Sequence, residues 1–336
     1  MKKVLFAAAL LAAASSVQAQ VTVGTPIVIN VGSVAVAPQG VAVANNAVYA
    51  VGFTNRSIIK VSDVTSTPTL TTIGNLNAVT TWAAASRGPQ DLDILGNTLY
   101  IFSDNGTTGI LNTVDLTNDT LGGTTVTATP NSRIAGGFVA SASLIYGAKP
   151  DSSTIRTLDG TLTQTGLSAA GGAGFVTPFR DIEVIGTDLF YVSANTGGAA
   201  PHTIGKFAPV TGSSDIATAT FTGFYTPALA DAAGSRNHVG LATYTQGATT
   251  YLVFPQSNTT TPSGSVAFID STNASNVTTV GSAALSGRQL TGVAVGTING
   301  VTYLVVASQN GGTNPNELYL FPITSAASSV ESWNQY

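Results

Sequence analysis

The sequence predicts an all-β fold, a six-bladed β-propeller with four-stranded blades, and three observations carry this prediction. A short apolar strand, a turn and a second strand with an aromatic residue recur six times along the chain. Each copy continues through a polar loop and further short strands, and four short strands in about 50 residues are typical of a propeller blade. An unpaired apolar strand precedes the first copy, whereas the sixth copy lacks a convincing fourth strand.

The N-terminus has the pattern of a secretory signal peptide. Lys2 and Lys3 precede an apolar run at residues 4–14, and a small-x-small cleavage pattern ends at Ala19. The run is too short for a permanent membrane span, which needs about 20 apolar residues, although a buried N-terminal helix is an alternative. We therefore predict that residues 1–19 are removed. Residues 20–336 are expected to form one propeller domain, exported to the periplasm, the cell surface or the medium.

The six copies align on two landmarks, the anchor residue of the first strand and the aromatic residue of the second. The landmarks are 9 residues apart in four copies and 11 in the other two. The two longer copies carry their extra residues where Gln-Gly and Asn-Gly favour a turn. The landmark pairs are Gly40/Tyr49, Asp91/Tyr100, Gly137/Tyr146, Asp181/Phe190, Gly240/Tyr251 and Gly292/Tyr303. We expect the blades to start near residues 38, 89, 133, 178, 236 and 288.

The two ends of the chain predict how the ring closes. The orphan strand at residues 26–31, PIVINV, has no partner in the first copy. We expect it to supply the fourth strand of the last blade, which closes the ring and removes exposed edges. An outer-membrane barrel is the competing all-β fold, but it needs strands of roughly ten residues that alternate apolar and polar. The strands here are shorter, and the second strand of each copy is a continuous apolar run.

The composition excludes several classes of function. Charged residues make up only 8% of the 336, and Thr, with 49 copies, supplies much of the polar surface. The absence of Cys excludes disulfides, thiolate metal sites and Cys nucleophiles. Without Lys2 and Lys3, 10 basic residues face 16 acidic ones, a net charge of −6. Such a surface does not suit nucleic acid, so we expect neither a nucleic-acid partner nor a membrane span.

The repeat resembles that of secreted bacterial six-bladed propellers of the NHL/YVTN-like and gluconolactonase-like kind. The resemblance covers the whole mature chain, but as architecture only, and no family motif assigns a role to a particular residue. The Trp motif that quinoprotein dehydrogenases repeat in each blade is absent, since the chain has only Trp82 and Trp333. By analogy with such folds, the functional site is expected at the mouth of the central channel.

An arginine recurs near the start of most first strands. In four copies it lies four residues before the anchor, and in the fourth copy it lies one residue before it. Guanidinium groups match carboxylate, phosphate or sulfate oxygens, so a partial ring of them would bind a small anionic ligand. Alternatively, each arginine ties one blade to the next. The candidate residues, with two polar neighbours, are Arg87, Arg133, Arg180, Arg236, Arg288, Asn237 and His238.

Acidic residues replace the usual small ones in the first strands of two blades. Blade two has Asp91 and Asp93, and blade four has Asp181 and Glu183, where the other blades have Gly followed by Ala or Val. Because side chains two apart share a face of a strand, each pair points the same way. The four carboxylates could converge on a hard cation such as Ca²⁺, which prefers oxygen ligands. The alternative is an ion-pair network with Arg180 and the repeated arginines.

Two hypotheses for function remain open. The first is a secreted non-enzymatic propeller that binds a protein partner, a glycan or a small anion, or that serves as a surface or matrix component. The second is a divalent-metal-dependent hydrolase of lactones or esters with its site at the channel mouth. No catalytic residue is predicted, because the chain has no Gly-x-Ser-x-Gly motif and only two His. The only cofactor that the acidic residues suggest is Ca²⁺.

Overall fold

The structure, a computed structural model, describes residues 20–82, 88–126, 134, 136–149, 154–165, 169–170, 179–193, 203–210, 216–226, 240–258, 263–309 and 316–325. Within these residues, six antiparallel sheets follow one another along the chain, which confirms the predicted six-bladed propeller. Consecutive strands are neighbours in every sheet, so each blade is a simple meander. The predicted leader at residues 1–19 lies outside the described residues.

The first three blades follow two short N-terminal strands. These strands are β1 (Val21–Val23) and β2 (Ile27–Asn30). Blade 1 is β3 (Pro38–Ala44), β4 (Ala47–Gly52), β5 (Ser57–Ser62) and β6 (Thr69–Asn75). Blade 2 is β7 (Gly88–Leu95), β8 (Thr98–Asp104), β9 (Gly109–Asp115) and β10 (Thr120–Val126). Blade 3 is β11 (Gly136–Ser141), β12 (Leu144–Ala148), β13 (Thr154–Leu158) and β14 (Ala169–Ala170).

The last three blades repeat the same order. Blade 4 is β15 (Phe179–Ile185), β16 (Asp188–Ser193), β17 (Thr203–Ala208) and β18 (Thr220–Tyr225). Blade 5 is β19 (Ala242–Gln246), β20 (Thr249–Asn258), β21 (Ser263–Asp270) and β22 (Asn273–Val280). Blade 6 is β23 (Gln289–Ile298), β24 (Val301–Gln309) and β25 (Glu317–Ser325). A short helix α1 (Ser282–Leu285) joins blades 5 and 6, and a 3₁₀ turn (Leu76–Ala78) follows β6.

The N-terminal strands complete blade 6, as the orphan strand predicted. Strand β2 pairs with β25 in antiparallel register, with Val28 opposite Tyr319. Strand β1 also pairs with β25, with Thr22 opposite Thr324, and this second contact was not predicted. A strand of three residues is too short to show a pattern, and Pro26 separates it from β2.

The core lies between the blades. The second strands are buried on both faces, as their continuous apolar sequences predicted, and β4 is buried along its whole length. One cluster joins Tyr49 and Val51 of β4 with Leu99 and Ile101 of β8, and all four are fully buried. Each blade is therefore held mainly by its two neighbours. Among the described residues no helix has both the length and the apolar character that a membrane crossing requires.

Four inner strands carry a β-bulge at an equivalent place. In β3, β7, β15 and β23 the register with the second strand shifts just before or at the anchor residue. Bulges re-aim side chains next to functional sites. The residue directly before the anchor is polar and buried in each case. These residues are Gln39, Gln90, Arg180 and Thr291.

Candidate functional site

The six inner strands surround the central channel, and a cavity of about 170 Å³ lies within it. The cavity has three polar residues in its wall, Asp93, Glu183 and Thr243. The other lining residues have apolar side chains and come from blades 1, 2, 5 and 6. These residues are Val41, Ala42, Val43, Leu92, Ile94, Leu241, Ala242, Val293, Ala294 and Val295. Two of the four predicted acidic residues therefore line the cavity.

The acidic residues of blade 2 bind the backbone of blade 3. Asp91 Oδ2 accepts a hydrogen bond from the Gly137 N–H at 3.0 Å, and Asp93 Oδ2 accepts one from the Val139 N–H at 2.6 Å. The other oxygen of each carboxyl accepts the N–H of the next residue in its own strand. Each carboxyl therefore links two inner strands, because its two oxygens take donors from different blades.

Asp181 makes the same kind of link between blades 4 and 5. Its Oδ2 accepts the Leu241 N–H at 2.5 Å, while Oδ1 accepts the Ile182 N–H at 2.7 Å. Burial, the charge of Asp181 and a hydrogen bond shared with Asp181 raise the pKa of Asp91. The strand between them belongs to blade 3 and has Gly136 at this level, where a Cβ would lie 2.1 Å from the Arg180 carbonyl oxygen. The missing side chain lets the inner strands of blades 3 and 4 approach each other closely.

Glu183 differs from the other three acids. Within the described residues its carboxyl receives no hydrogen bond, although Asp93 and Asp91 act on it electrostatically. The side chain is surrounded by protein but is partly accessible, since it lines the cavity. An unpaired carboxylate in such surroundings is costly unless it is neutral or meets a cation.

Burial raises the pKa of all four carboxyls, because charge is poorly solvated inside the channel. The pKa of Asp93 rises to about 6 through burial, against the opposing effect of its backbone hydrogen bonds. Burial, with the charge of Glu183, raises the pKa of Asp181 to about 7. Burial and neighbouring carboxylates hold the pKa values of Asp91 and Glu183 well above their usual range. The cluster therefore retains protons near neutral pH.

The four acids are the predicted calcium ligands, and three of them bind backbone groups in the described structure. Across the part of the chain that the structure describes, no three Asp, Glu or His side chains are grouped to hold a metal ion. Asp91, Asp93 and Asp181 already use both carboxyl oxygens as acceptors for backbone N–H groups. The predicted calcium site gains no support from this arrangement and stays a prediction.

The alternative ion-pair network stays untested, because Arg87, Arg133 and Arg236 lie outside the described residues. The ion pairs between described residues join Lys60 to Asp119, Lys206 to Asp188 and Arg288 to Glu317. None of these pairs includes a channel carboxyl. The acids instead use backbone N–H groups of neighbouring blades, and these donors exist at every non-proline residue. The sequence therefore indicated where the carboxyls lie but not what they bind.

Only two of the predicted arginines lie among the described residues. Arg288, directly before β23, has its Nη1 3.2 Å from Oε2 of Glu317 in β25, so the contact lies within blade 6. Arg180 is buried and its Nη1 donates to Gln90 Oε1 at 3.5 Å, a contact between blades 4 and 2. Both side chains thus have structural contacts. Arg87, Arg133, Arg236, Asn237 and His238 lie outside the described residues, so the predicted anion site stays a prediction.

Apart from Arg180, the sequence analysis missed the polar residues at the bulges. The Thr291 hydroxyl donates to the Pro38 carbonyl oxygen at 2.6 Å and so joins blade 6 to blade 1. Gln39 is 3% exposed, and its Oε1 has no hydrogen-bond partner in the described part of the chain. The signal was present, because a polar residue directly before the anchor interrupts an otherwise apolar strand.

Comparisons with known proteins agree on the fold. No protein-family model matches the chain, and no curated protein matches it in sequence. Solved structures do match it in three dimensions. This is the six-bladed propeller fold. The chain is similar to the Malassezia sympodialis allergen Mala s 1, at 12% identity and a TM-score of 0.59, over 93% of this chain and 99% of the allergen.

Two enzymes are also similar in structure. A gluconolactonase from Xanthomonas campestris matches at 11% identity and a TM-score of 0.57, over 91% of this chain and 94% of its own. A virginiamycin B lyase from Staphylococcus aureus matches at 10% identity and a TM-score of 0.52, over 91% of this chain and 100% of its own. At such identities the likeness concerns the fold alone, and one propeller fold supports many unrelated functions.

Proposed function

We propose that the protein is an exported, non-enzymatic propeller that binds its ligand or partner at the central channel. The observation that carries the proposal is that the channel carboxyls form hydrogen bonds to the backbone of neighbouring blades. Three of the four have both oxygens engaged by backbone N–H groups, and their inter-blade bonds join blade 2 to blade 3 and blade 4 to blade 5. Side chains that hold the ring in this way are poorly placed to activate water or to exchange protons with a substrate.

The surface chemistry supports binding as well. The outer strands are rich in Thr and Asn, and β22, for example, has the sequence NASNVTTV. With only 8% charged residues, the surface offers hydroxyl and amide groups rather than ions. Such groups form neutral hydrogen bonds, which are the main polar contacts that a glycan or an uncharged protein surface accepts. A glycan or a protein partner therefore stays within the proposal, as does a surface or matrix role.

Export is the second part of the proposal and rests on the leader at residues 1–19. Expression of the full chain in a Gram-negative host should yield a mature product that begins at Gln20, outside the cytoplasm. N-terminal sequencing of the fractionated protein tests this directly. An uncleaved cytoplasmic product would overturn export.

The decisive experiment compares the thermal melting of the mature protein in calcium and in EDTA. A ligand at a hundredfold excess over its Kd would stabilise the folded protein by about 2.7 kcal/mol. We expect a Tm difference below about 1 °C, because the described acids lack the arrangement of a calcium site. The double variant Asp91→Asn with Asp181→Asn should behave in the same way in both solutions.

The competing function is a metal-dependent lactonase or esterase, and one observation favours it. Glu183 and Asp93 line the same cavity, and Glu183 has an open carboxyl. The likeness in fold to a gluconolactonase makes sugar lactones the first substrates to try. A large calcium shift that the double variant abolishes, together with lactone hydrolysis that EDTA stops, would replace the binding proposal with this one.

A further inference from the structure

A second cavity lies away from the channel, beside the outermost strands of blade 6. Its volume is about 710 Å³, within the range of roughly 300–1,000 Å³ that is usual for binding pockets. The turn between β1 and β2, with Val23 and Pro26, lines it on blade 6, together with Phe321 of β25. Ala283 and Ala284 of α1 line it as well. The described lining residues carry no charge and its surface is mostly apolar, so this outer groove favours an apolar occupant.

The same face of blade 6 exposes a further large apolar side chain. Val28 of β2 is 48% exposed. It lies opposite Tyr319 of β25, and residues that lie opposite each other in an antiparallel pair share a face of the sheet. Phe321 is two residues from Tyr319 in the same strand and therefore shares this face too. Exposed apolar surface next to an apolar groove is typical of a site of contact with another segment or protein.

The residues that follow β25 begin close to the outer groove. Strand β25 ends at Ser325, which pairs with Val21 of β1, and Phe321 is about 13 Å away along the strand. The sequence continues with residues 326–336, AASSVESWNQY, which lie outside the described residues. At about 3.3 Å per residue, an extended segment of this length spans about 36 Å. It is therefore long enough to turn back and reach the groove.

This segment has side chains that suit an apolar groove. It contains Val330, Trp333 and Tyr336, and its single charged residue is Glu331. Trp and Tyr bury large apolar areas while their polar group stays at the surface. A segment of the same chain also acts at a high effective concentration, so a weak contact is enough to hold it. Both its chemistry and its attachment point make this segment the occupant that the groove fits.

We propose that residues 326–336 fold back over the outer groove, with Trp333 as the main apolar contact. The segment covers the outermost strands of blade 6, where β1 and β2 pair with β25 and close the ring. It therefore stabilises the closure of the propeller. The inference concerns a surface outside the channel and does not depend on the binding function proposed there.

The first test uses the fluorescence of Trp333. The chain has two tryptophans, so Trp82→Phe leaves Trp333 as the only one. Residues 20–336 with this change are compared with a synthetic peptide of residues 326–336. The indole in the protein should emit at a shorter wavelength than in the peptide, and acrylamide should quench it at least about twofold less, because the groove shields it from water.

Two matched variants in the Trp82→Phe protein locate the contact. Ala283→Glu places a charge in the outer groove and should return the emission and the quenching of Trp333 to the values of the peptide. Ala78→Glu is the same substitution at an exposed residue in the 3₁₀ turn of blade 1. It should leave both readings unchanged.

Thermal melting gives a second readout in proteins that keep Trp82. Deletion of residues 326–336 should lower Tm by about 3 °C, and Trp333→Ala should account for most of this fall. In the Ala283→Glu protein the same deletion should change Tm little, because the contact is already lost there.

Four results would overturn the inference. Trp333 could emit and be quenched as in the free peptide, or Ala283→Glu could leave its signal unchanged. The deletion could lower Tm equally with and without Ala283→Glu. The Trp333 signal could also depend on protein concentration, which would mean that the segment binds a second copy of the chain instead of its own groove.

Discussion

The two halves of the channel are built from the same repeat but are held together differently. In blades 2 and 4, carboxyl side chains reach the backbone of the next blade, as Asp91 does at Gly137 and Asp181 does at Leu241. Between blades 5 and 6 the backbone makes the contact itself. The Gly240 N–H donates to the Thr291 carbonyl oxygen at 2.7 Å.

The difference shows that the anchor position of the first strand can stabilise the ring of blades in two ways. A glycine anchor lets inner strands touch, and a Cβ at Gly292 would lie 1.7 Å from the Gln39 carbonyl oxygen. An aspartate anchor instead spans the gap with a carboxyl. The first kind of contact contains no titratable group and is independent of pH, whereas the second depends on the protonation of buried acids. The three predictions below test this division.

The largest effect is expected for Gly292→Ala in the glycine half. The new methyl group would collide with backbone rather than with a flexible side chain, so an inner strand must move. Overpacking of this kind costs about 3 kcal/mol or more, and the variant should unfold at much lower urea concentration, or fail to fold. Urea unfolding followed by circular dichroism measures the loss.

Gly123→Ala is the matched control, because nothing lies within 4 Å of a Cβ at that glycine. Its stability should stay within about 0.5 kcal/mol of the wild type. If Gly292→Ala were equally mild, backbone contact would not be what holds blades 6 and 1 together.

The next largest effect is the pH dependence of stability. The pKa values of Asp93 and Asp181 in the folded protein, about 6 and about 7, lie above the value near 3.9 of an unfolded Asp. The folded protein therefore holds protons that the unfolded chain releases. The stability that the protonated Asp93 and Asp181 contribute is complete below about pH 4 and is lost as the pH rises through 6 and 7.

We expect the free energy of unfolding to fall by on the order of 2 kcal/mol between pH 5 and pH 8. Urea unfolding at a series of pH values measures it. Asp93→Asn should reduce the dependence of the free energy of unfolding on pH, because Asn keeps an acceptor for the Val139 N–H without a titrating charge. A stability that rises over this range would contradict the raised pKa values.

Much of the architecture could be predicted from the sequence, because its signals repeat. Six landmark pairs predicted six blades, and the orphan strand predicted the pairing of β2 with β25. The acidic substitutions at Asp91 and Asp181 were visible as departures from the same pattern. A departure from a repeat thus pointed to the side chains that meet inside the channel.

The partners of those side chains could not be predicted. Backbone N–H donors such as that of Leu241 have no sequence signature, so the carboxyls suggested metal or arginine partners instead. The raised pKa values of Asp91 and Asp181 depend on burial, which the spacing of residues along one strand does not reveal. Short β1 lacked enough residues to show any period.

The smallest effect is expected for Thr291→Val, which tests whether the two halves of the channel are independent. Thr291→Val replaces the hydroxyl that donates to the carbonyl oxygens of Pro38 at 2.6 Å and Ala307 at 3.2 Å. The variant should lose about 1 kcal/mol, the usual net value of a hydrogen bond. Because Thr does not titrate, the loss should be equal at pH 5 and pH 8, as urea unfolding of both proteins at each pH would show. A loss that grew with pH would mean that the acids act on blades 6 and 1 as well. The ring would then respond to protons as one unit, and the division into two independent halves would be wrong.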